Sequence, residues 1–296
     1  MKVIRTIAEL KQALRTKRRE AWSLGTEGSV GFVPTMGFLH EGHASLLKRA
    51  REENEIAVLS IFVNPTQFGP NEDFERYPRN EEKDLSVAAD AGVDFVFMPP
   101  VQEMYPGKSS TTVSVAGVTD RLCGASRPGH FDGVATVVSK LFHIVEPDRA
   151  YFGMKDAQQV AVIETMVRDL NLNVEIVPCP TVREPDGLAL SSRNVYLSEE
   201  HRKEALVLSQ ALALSDRWLA AEGGRVEALT RRITDYIQSS PSADIDYVEV
   251  LSYPSLTEPK EGEHNELDKG LLIALAVRFG QTRLIDNRLI PYGEIQ

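Results

Sequence analysis

Cysteine is scarce in this chain of 296 residues, which contains only Cys123 and Cys179. Two cysteines are too few for the stapled framework of a small secreted domain, so stability has to come from a buried core. A reducing compartment is the simpler setting for such cysteine usage. We therefore expect a cytoplasmic protein.

Long apolar runs are also absent, and none approaches the roughly 20 residues that a membrane-spanning helix needs. The amino-terminal segment, MKVIRTIAELKQALRTKRREA, is amphipathic and charged, without the apolar run and cleavage site of a signal peptide. A basic surplus is lacking too, because 33 Lys and Arg stand against 43 Asp and Glu, for a formal net charge of −10. That charge repels polyanions, so we expect neither a membrane nor a nucleic acid as partner.

What is present is an ordinary globular composition, with 42% hydrophobic and 26% charged residues. Up to residue 180, short apolar runs alternate with amphipathic helical patterns, which is typical of a parallel sheet with crossover helices. The predicted strands are 31–33, 56–63, 93–98, 151–152 and 174–177, and the predicted helices are 44–53, 81–91, 134–145 and 157–170. This alternation predicts an α/β fold with a doubly wound parallel sheet.

The pattern changes after Pro180. A helix is predicted after the N-cap residue Ser198, and strand-like runs follow at 245–251, 271–277 and 282–285. Between them, a second helix carries apolar residues on one face, at Val226, Leu229, Ile233 and Ile237. We predict two domains, 1–182 and 183–296, of which the second is a smaller α+β domain.

The strongest local motif is PTMGFLHEGH at 34–43, between the first predicted strand and a helix expected near Ala44. Backbone N–H groups at such a junction can hold phosphate, and Gly37 and Gly42 allow close approach. His40 and His43 are three residues apart, so both rings lie on one side of a first helical turn and can donate hydrogen bonds to phosphate oxygens. The same pair could also be surface or metal-binding histidines.

Two further loops carry suitable chemistry for a nucleotide. Lys155 offers a point charge for phosphate and Asp156 an acceptor for ribose hydroxyls, although a solvated lysine and a helix N-cap are the alternatives. The segment 190–194, LSSRN, offers hydroxyls, backbone donors and a guanidinium to the outer phosphates of a triphosphate. By itself it is only a polar loop.

Neutral amides and a turn-rich segment complete the candidates. Gln67, Gln158 and Gln159 can hydrogen-bond a polar substrate without adding charge, or they are simply surface residues. The segment 127–133, RPGHFDG, precedes an apolar helix and either lines a pocket or reverses the chain.

Together these segments resemble one family, the pantothenate synthetases or pantoate–beta-alanine ligases of the His-x-Gly-His nucleotidyltransferase superfamily. The resemblance covers essentially the whole chain. It rests on PTMGFLHEGH at 34–43, VNPTQFGPNEDFERYPR at 63–79, RPGHFDGVATVV at 127–138, FGMKDAQQ at 152–159, TVREPDGLALSSRN at 181–194 and TRLIDN at 282–287. It implies a Rossmann-like amino-terminal domain that binds nucleotide and pantoate, a smaller carboxy-terminal lid domain, and a homodimer.

The resemblance also implies a reaction, the AMP-forming ligation that makes pantothenate, or vitamin B5. Pantoate would attack the α-phosphate of ATP to give pantoyl-adenylate and pyrophosphate. Beta-alanine would then attack the acyl carbon and release AMP. Mg²⁺ would accompany the triphosphate, with protein ligands that are unknown; Asp84 is the nearest carboxylate by position.

On matching positions, the resemblance makes His43 the catalytic residue and His40 its partner on the phosphates. Lys155 and Arg193 are carried over as further catalytic residues. The residues that would contact ATP are Met36, Gly37, Phe38, Leu39, His40, Glu41, Gly42, His43, Gly153, Met154, Lys155, Asp156, Val182, Leu190, Ser191, Ser192 and Arg193.

Gln67 and Gln159 would hold pantoate, and Gln67 would also lie near beta-alanine. Met154 and Leu190 depart from the family pattern, in which many members carry Glu and Met at these positions. Contacts there are therefore expected through backbone atoms, which such a change preserves.

Two other functions stay open at the level of sequence. Another adenylyltransferase of the superfamily would join AMP to a phosphorylated acceptor, and would need extra cations where the 63–79 segment offers Asn64 and Gln67. A non-catalytic nucleotide-binding protein would not need the set of His40, His43, Lys155 and Arg193. Pyrophosphate exchange that depends on pantoate would distinguish a pantothenate synthetase from another adenylyltransferase. Turnover would distinguish it from a non-catalytic nucleotide-binding protein.

Overall fold

The protein is described by a computed structural model at residues 1–70, 72, 74–259 and 267–294. Its strands are β1 (Lys2–Ile4), β2 (Val30–Thr35), β3 (Ile56–Ile61), β4 (Phe95–Phe97), β5 (Arg149–Gly153), β6 (Glu175–Cys179), β7 (Ala243–Tyr253), β8 (Gly270–Phe279) and β9 (Thr282–Pro291). Its helices are α1 (Ile7–Ser23), α2 (Glu41–Glu53), α3 (Glu81–Asp90), α4 (Val101–Met104), α5 (Leu122–Ser126), α6 (His130–Val145), α7 (Ala157–Asp169), α8 (Glu199–Glu204), α9 (Leu206–Ala221) and α10 (Val226–Gln238).

Strands β1 to β6 form one sheet in the order β1-β4-β3-β2-β5-β6, and every pair in it is parallel. The chain builds outward from β2 through β3 to β4, and then returns to place β5 on the other side of β2. In open α/β sheets, ligands bind at such a switch point, beyond the carboxyl ends of the strands. The point between β2 and β5 is therefore where this fold favours a ligand.

Helices cover both faces of this sheet. Phe32 of β2 and Phe152 of β5 make edge contacts with Phe142 of α6, at ring-centroid distances of 6.5 and 6.4 Å. The next residue of β2, Val33, points to the opposite face. There it packs in a buried cluster with Leu47 of α2. The prediction of a doubly wound parallel sheet is confirmed.

The strands β7, β8 and β9 form a second, antiparallel sheet in that order. The central strand β8 is buried along nearly its whole length, and α9 and α10 contribute to the same hydrophobic cluster. Leu229, Ile233 and Ile237 of α10 are fully buried, on the face that their spacing predicts. The predicted smaller α+β region is confirmed as well.

Helix starts illustrate which local predictions hold. The N-cap at Ser198 is confirmed, since its side chain accepts a hydrogen bond from the first turn of α8. The prediction of a start near Ala44 is wrong, because α2 begins at Glu41. The reason is that the imidazole of His40 accepts a hydrogen bond from the backbone N–H of Gly42 and so caps the helix earlier. The strand β1 has no counterpart among the predictions, because three residues beside charged neighbours show no periodicity.

Contacts divide the chain into two compact units. Unit 1 comprises Met1–Val115, Arg127–Gly153 and Val162–Pro180, and unit 2 comprises Ala116–Ser126, Met154–Ala161 and Thr181–Gln296. The six-stranded sheet lies in unit 1 and the three-stranded sheet in unit 2. Packing into units is a different property from independent folding, so the two domains expected at 1–182 and 183–296 stay a prediction.

Among the described residues there is neither a disulfide nor a membrane-spanning helix. Cys123 and Cys179 are both free thiols, and both are buried. Within the part of the chain that the structure describes, no helix combines the length and the apolar character needed to cross a bilayer.

Candidate active site

The loop after β2 is held by a buried carboxylate. Gly37 and Phe38 both have left-handed backbones, with φ of 83° and 53°. A side chain at position 37 would meet Oδ2 of Asp84 at 2.9 Å, so glycine is required there. Asp84 accepts hydrogen bonds from the backbone N–H of Phe38 at 2.9 Å and of Leu39 at 2.6 Å. Burial raises the pKa of Asp84, and these two N–H groups act in the opposite direction.

His40 and His43 lie side by side at the start of α2, with ring centroids 4.1 Å apart. Nδ1 of His40 accepts from the backbone N–H of Gly42 at 3.1 Å, and Nδ1 of His43 accepts from the backbone N–H of His40 at 3.3 Å. A ring nitrogen that accepts carries no proton, so each neutral ring carries its proton on Nε2. The local backbone thus sets both imidazoles as Nε2–H donors.

Gln67 follows β3 in a short 3₁₀ turn and is buried. Its Oε1 accepts from Nδ2 of Asn64 at 3.2 Å. The orientation of the Asn64 amide is itself set, because Nδ2 also donates to the carbonyl of Gly133 at 3.1 Å and Oδ1 accepts from the hydroxyl of Tyr105 at 2.9 Å. The N–H₂ group of Gln67 therefore points away from Asn64, to the sulfur of Met36 at 3.3 Å. A thioether is a weak acceptor, so an oxygen of a substrate would compete for this donor.

The RPGHFDG segment packs onto the Gln67 turn, a contact that the sequence does not predict. Nδ1 of His130 lies 2.8 Å from the carbonyl oxygen of Gln67, and its Nε2 lies 3.0 Å from Nη1 of Arg127. Arg127 in turn makes a two-point ion pair with Glu72, at 2.7 and 2.5 Å. Burial raises the pKa of Glu72, but the Arg127 guanidinium outweighs this and the pKa is lowered.

In unit 2, the turn that contains Lys155 is held through its backbone. Nδ2 of Asn287 donates to the carbonyl oxygens of Met154 and Lys155, both at 2.8 Å. The neighbouring Asp286 accepts two hydrogen bonds from Arg183, at 2.6 and 2.8 Å. These contacts give the TRLIDN motif a structural role. The sequence alone does not assign any role to its residues.

The charge of Lys155 is influenced by its neighbours in unit 2. Burial of the ammonium group lowers the pKa of Lys155, although part of the residue's surface is accessible. Arg193 lowers this pKa further, and Asp156 and Asp286 raise it. An anionic ligand such as a phosphate beside Lys155 would favour the charged ammonium and raise this pKa again.

The expected ATP residues at 182 and 190–193 lie together. The backbone N–H of Leu190 donates to the carbonyl of Val182 at 3.0 Å. Ser191 is the N-cap of the 3₁₀ helix Ser192–Tyr196 and accepts from the backbone N–H of Arg193 at 3.2 Å. The structure thus joins two parts of the sequence motif in one polar turn.

The two adjacent glutamines of α7 differ in their surroundings. Gln158 is buried, and its Nε2 donates to the carbonyls of Val118 at 2.9 Å and Arg121 at 2.8 Å. Its donor group is therefore used inside unit 2. Gln159 is partly exposed in the first turn of the helix, which favours Gln159 over Gln158 for contact with a substrate.

A parallel α/β sheet in which a loop and a helix start follow the strand at the switch point, as α2 follows β2, is typical of nucleotide-dependent enzymes. The family model described as pantoate-beta-alanine ligase matches residues 2–289. A pantothenate synthetase of Acetivibrio thermocellus is 55% identical over 290 residues, covering 98% of this chain and 99% of that protein. Another, of Geobacillus thermodenitrificans, is 54% identical over 292 residues, covering 98% and 96%.

Solved structures agree with these relatives. A pantothenate synthetase from Thermus thermophilus matches with a TM-score of 0.88 at 48% identity, over 98% of this chain and 99% of that one. A pantoate-beta-alanine ligase from Francisella tularensis, complexed with beta-gamma ATP and beta-alanine, matches with a TM-score of 0.77 at 35% identity, over 98% and 97%. The chain belongs to the pantoate-beta-alanine ligase family. It is an AMP-forming ligase that makes a carbon–nitrogen bond.

Proposed function

We propose that this enzyme joins pantoate and beta-alanine to pantothenate through a pantoyl-adenylate, converting ATP to AMP and pyrophosphate. Family membership over nearly the whole chain supports the overall reaction. The observation that carries the mechanism is the pair of Nε2–H donors at His40 and His43.

In the first step, a carboxylate oxygen of pantoate attacks the α-phosphorus of ATP, and the bond to the bridging oxygen of pyrophosphate breaks. Negative charge grows on the leaving pyrophosphate. Donors that are fixed before the reaction stabilise this charge without any cost of reorganisation at that moment. His43 and His40 supply such donors, and Lys155 and Arg193 supply positive charge.

The residues that contact ATP in this proposal are inferred, each in turn, from the family motif. Met154 and Leu190 contribute backbone atoms, in a turn held by Asn287 and in a strand-like pair with Val182. The full set is Met36, Gly37, Phe38, Leu39, His40, Glu41, Gly42, His43, Gly153, Met154, Lys155, Asp156, Val182, Leu190, Ser191, Ser192 and Arg193.

Gln67 and Gln159 hold pantoate in this proposal. The N–H₂ group of Gln67 donates to an oxygen of pantoate, and a neutral amide orients the acid without trapping its carboxylate in a salt bridge. In the second step, the amine of beta-alanine attacks the acyl carbon. The C–N bond forms, the bond from the acyl carbon to AMP breaks, and the amine loses a proton.

Mg²⁺ accompanies ATP in this proposal. Among the described residues, no group of three or more His, Cys, Asp or Glu side chains could hold a metal ion. Both oxygens of Asp84 already accept backbone N–H groups. Mg²⁺ commonly keeps several waters and binds substrate phosphates with few protein carboxylates. The residues present therefore fit an ion that arrives with the triphosphate.

A cytoplasmic location and a homodimer complete the proposal. Light scattering on the purified protein tests the homodimer.

The decisive assay follows AMP formation from ATP, pantoate and beta-alanine. Isotope exchange between pyrophosphate and ATP should require pantoate but not beta-alanine, because adenylation precedes attack by the amine. An absolute requirement for the amine would contradict the adenylate and indicate a concerted ligation. Exchange with a phosphorylated acceptor instead of pantoate would favour another adenylyltransferase, and absence of any turnover would favour a nucleotide-binding protein.

A further inference from the structure

Helix α6 approaches the backbone of the Gln67 turn unusually closely. A Cβ atom on Gly133 would come within 2.4 Å of the carbonyl oxygen of Thr66 and 2.6 Å of Cα of Gln67. No residue other than glycine fits at 133 without moving the turn. The first turn of α6 and the Gln67 turn therefore pack as one rigid contact.

His130 lies in this contact, and only 9% of its surface is exposed. Its Nδ1 is 2.8 Å from the carbonyl oxygen of Gln67, and a carbonyl only accepts, so Nδ1 carries the proton. Its Nε2 is 3.0 Å from Nη1 of Arg127, and a guanidinium only donates, so Nε2 is the acceptor. Both partners thus select the same neutral tautomer.

Arg127 is itself held by Glu72, which lies in the same segment as Gln67. The two-point geometry, at 2.7 and 2.5 Å, is the strong and directional form of an arginine–carboxylate pair. The contacts run from Glu72 through Arg127 and His130 back to Gln67. They hold the chain at Gln67 and at Glu72, and both contacts come from residues 127–130, where α6 begins.

We propose that His130 is a positioning residue for the ligation, which fixes the Gln67 backbone so that the Gln67 amide presents its N–H₂ group to pantoate. This inference rests on the proposed role of Gln67 in holding pantoate. His130 acts through the carbonyl of Gln67, and not through contact with a reacting atom. Its loss should therefore appear in the kinetics of pantoate and not in those of ATP.

Two substitutions separate the two contacts of His130. His130→Asn keeps an amide donor near the position of Nδ1 and loses the acceptor at Nε2. His130→Gln places its amide near Nε2 and loses the donor to Gln67. We expect His130→Gln to raise the KM for pantoate on the order of tenfold, since one hydrogen bond corresponds to roughly one power of ten. In His130→Gln, the KM for ATP should stay within about twofold of wild type. In His130→Asn, the KM for pantoate should stay within about threefold of wild type.

The chain offers a matched control in His143, an exposed histidine of the same helix. Its Nδ1 lies 2.7 Å from the carbonyl oxygen of Ser139, so His143→Gln removes a bond of the same type away from Gln67. We expect wild-type kinetics in this variant. Glu72→Gln is a milder second variant, on a partly exposed side chain, for the case that His130→Gln does not fold. Weakening the pair with Arg127 should raise the KM for pantoate about threefold.

A double-mutant cycle with Gln67→Ala tests whether His130 acts through Gln67. In the Gln67→Ala background, His130→Gln should add nothing to the KM for pantoate. An additive effect would overturn the proposal, because it would indicate a route to pantoate that does not involve Gln67. A normal pantoate KM in both His130→Gln and Glu72→Gln, beside a raised one in Gln67→Ala, would overturn it and leave the role of Gln67 intact. A normal KM in Gln67→Ala itself would overturn both.

Discussion

Replacing Asp84 by Asn is expected to separate the activity of this enzyme from its stability. The carboxylate accepts the backbone N–H groups of Phe38 and Leu39, just before His40. Asn has one oxygen and one N–H₂ group, so one of these backbone donors would face another donor. A buried donor without an acceptor costs about 1–3 kcal/mol. The left-handed Phe38 is where the loop would relax, since positive φ is strained for a side chain of this size.

For the free energy of unfolding, Asp84→Asn also has a stabilising effect, which offsets the lost hydrogen bond. Burial raises the pKa of Asp84, so the ionised carboxylate is less favourable in the folded protein than in the unfolded chain. A raised folded-state pKa means that this contribution to stability is largest below the unfolded pKa and is lost as the pH rises through the folded pKa. At neutral pH, Asn removes that penalty. We expect the free energy of unfolding of Asp84→Asn to stay within about 1 kcal/mol of wild type.

The assay is steady-state kinetics with ATP varied, alongside urea unfolding at neutral pH. The kcat/KM for ATP should fall about 5- to 150-fold, the factor that corresponds to a cost of about 1–3 kcal/mol. Asp90→Asn, at the exposed end of the same helix α3, is the control and should change neither quantity. Unchanged ATP kinetics would refute the reasoning. A loss of stability as large as the loss of activity would refute it as well, since Asp84 would then only hold the fold.

Three further substitutions test the proposed site. His43→Ala should lower kcat by roughly 10²–10³ with little change in ATP affinity, because its donor matters most as charge develops; near wild-type turnover would contradict this role. Asn287→Ala removes the donor to the Met154 and Lys155 carbonyls, and should raise the KM for ATP about tenfold, against an unchanged KM for pantoate. Gln159→Ala should raise the KM for pantoate or lower turnover roughly 5- to 150-fold, and a selective loss of ATP binding would mean that pantoate is held elsewhere.

The fold is readable from sequence because its signals are local. Phe32 and Leu59 lie in continuous apolar runs of the kind that buried parallel strands require, and Leu229 and Ile233 recur at helical spacing. The strand β1 lacks such a signal. It gains its hydrogen bonds from β4, which is distant in the chain, so no window of sequence around it could indicate a strand.

The placement of His40 and His43 on one helical turn was predictable, because a single motif joins these neighbouring residues. The residues that hold the site in place could not be found in this way. Asp84, His130 and Asn287 contact partners that are 45, 63 and 132 residues away. The only available signal for two of them was membership of the RPGHF and TRLIDN motifs, which marks a residue as relevant without saying what it touches.

The discontinuity of unit 2 has a consequence for synthesis on the ribosome. Its segments Ala116–Ser126 and Met154–Ala161 are translated well before the strands β7 to β9. Arg121 pairs with Glu249, which is 128 residues later. At translation rates of about 5–20 residues per second, Arg121 waits on the order of 6–25 s for that partner. A nascent chain halted before β7 would therefore present both early segments without the strands they pack against.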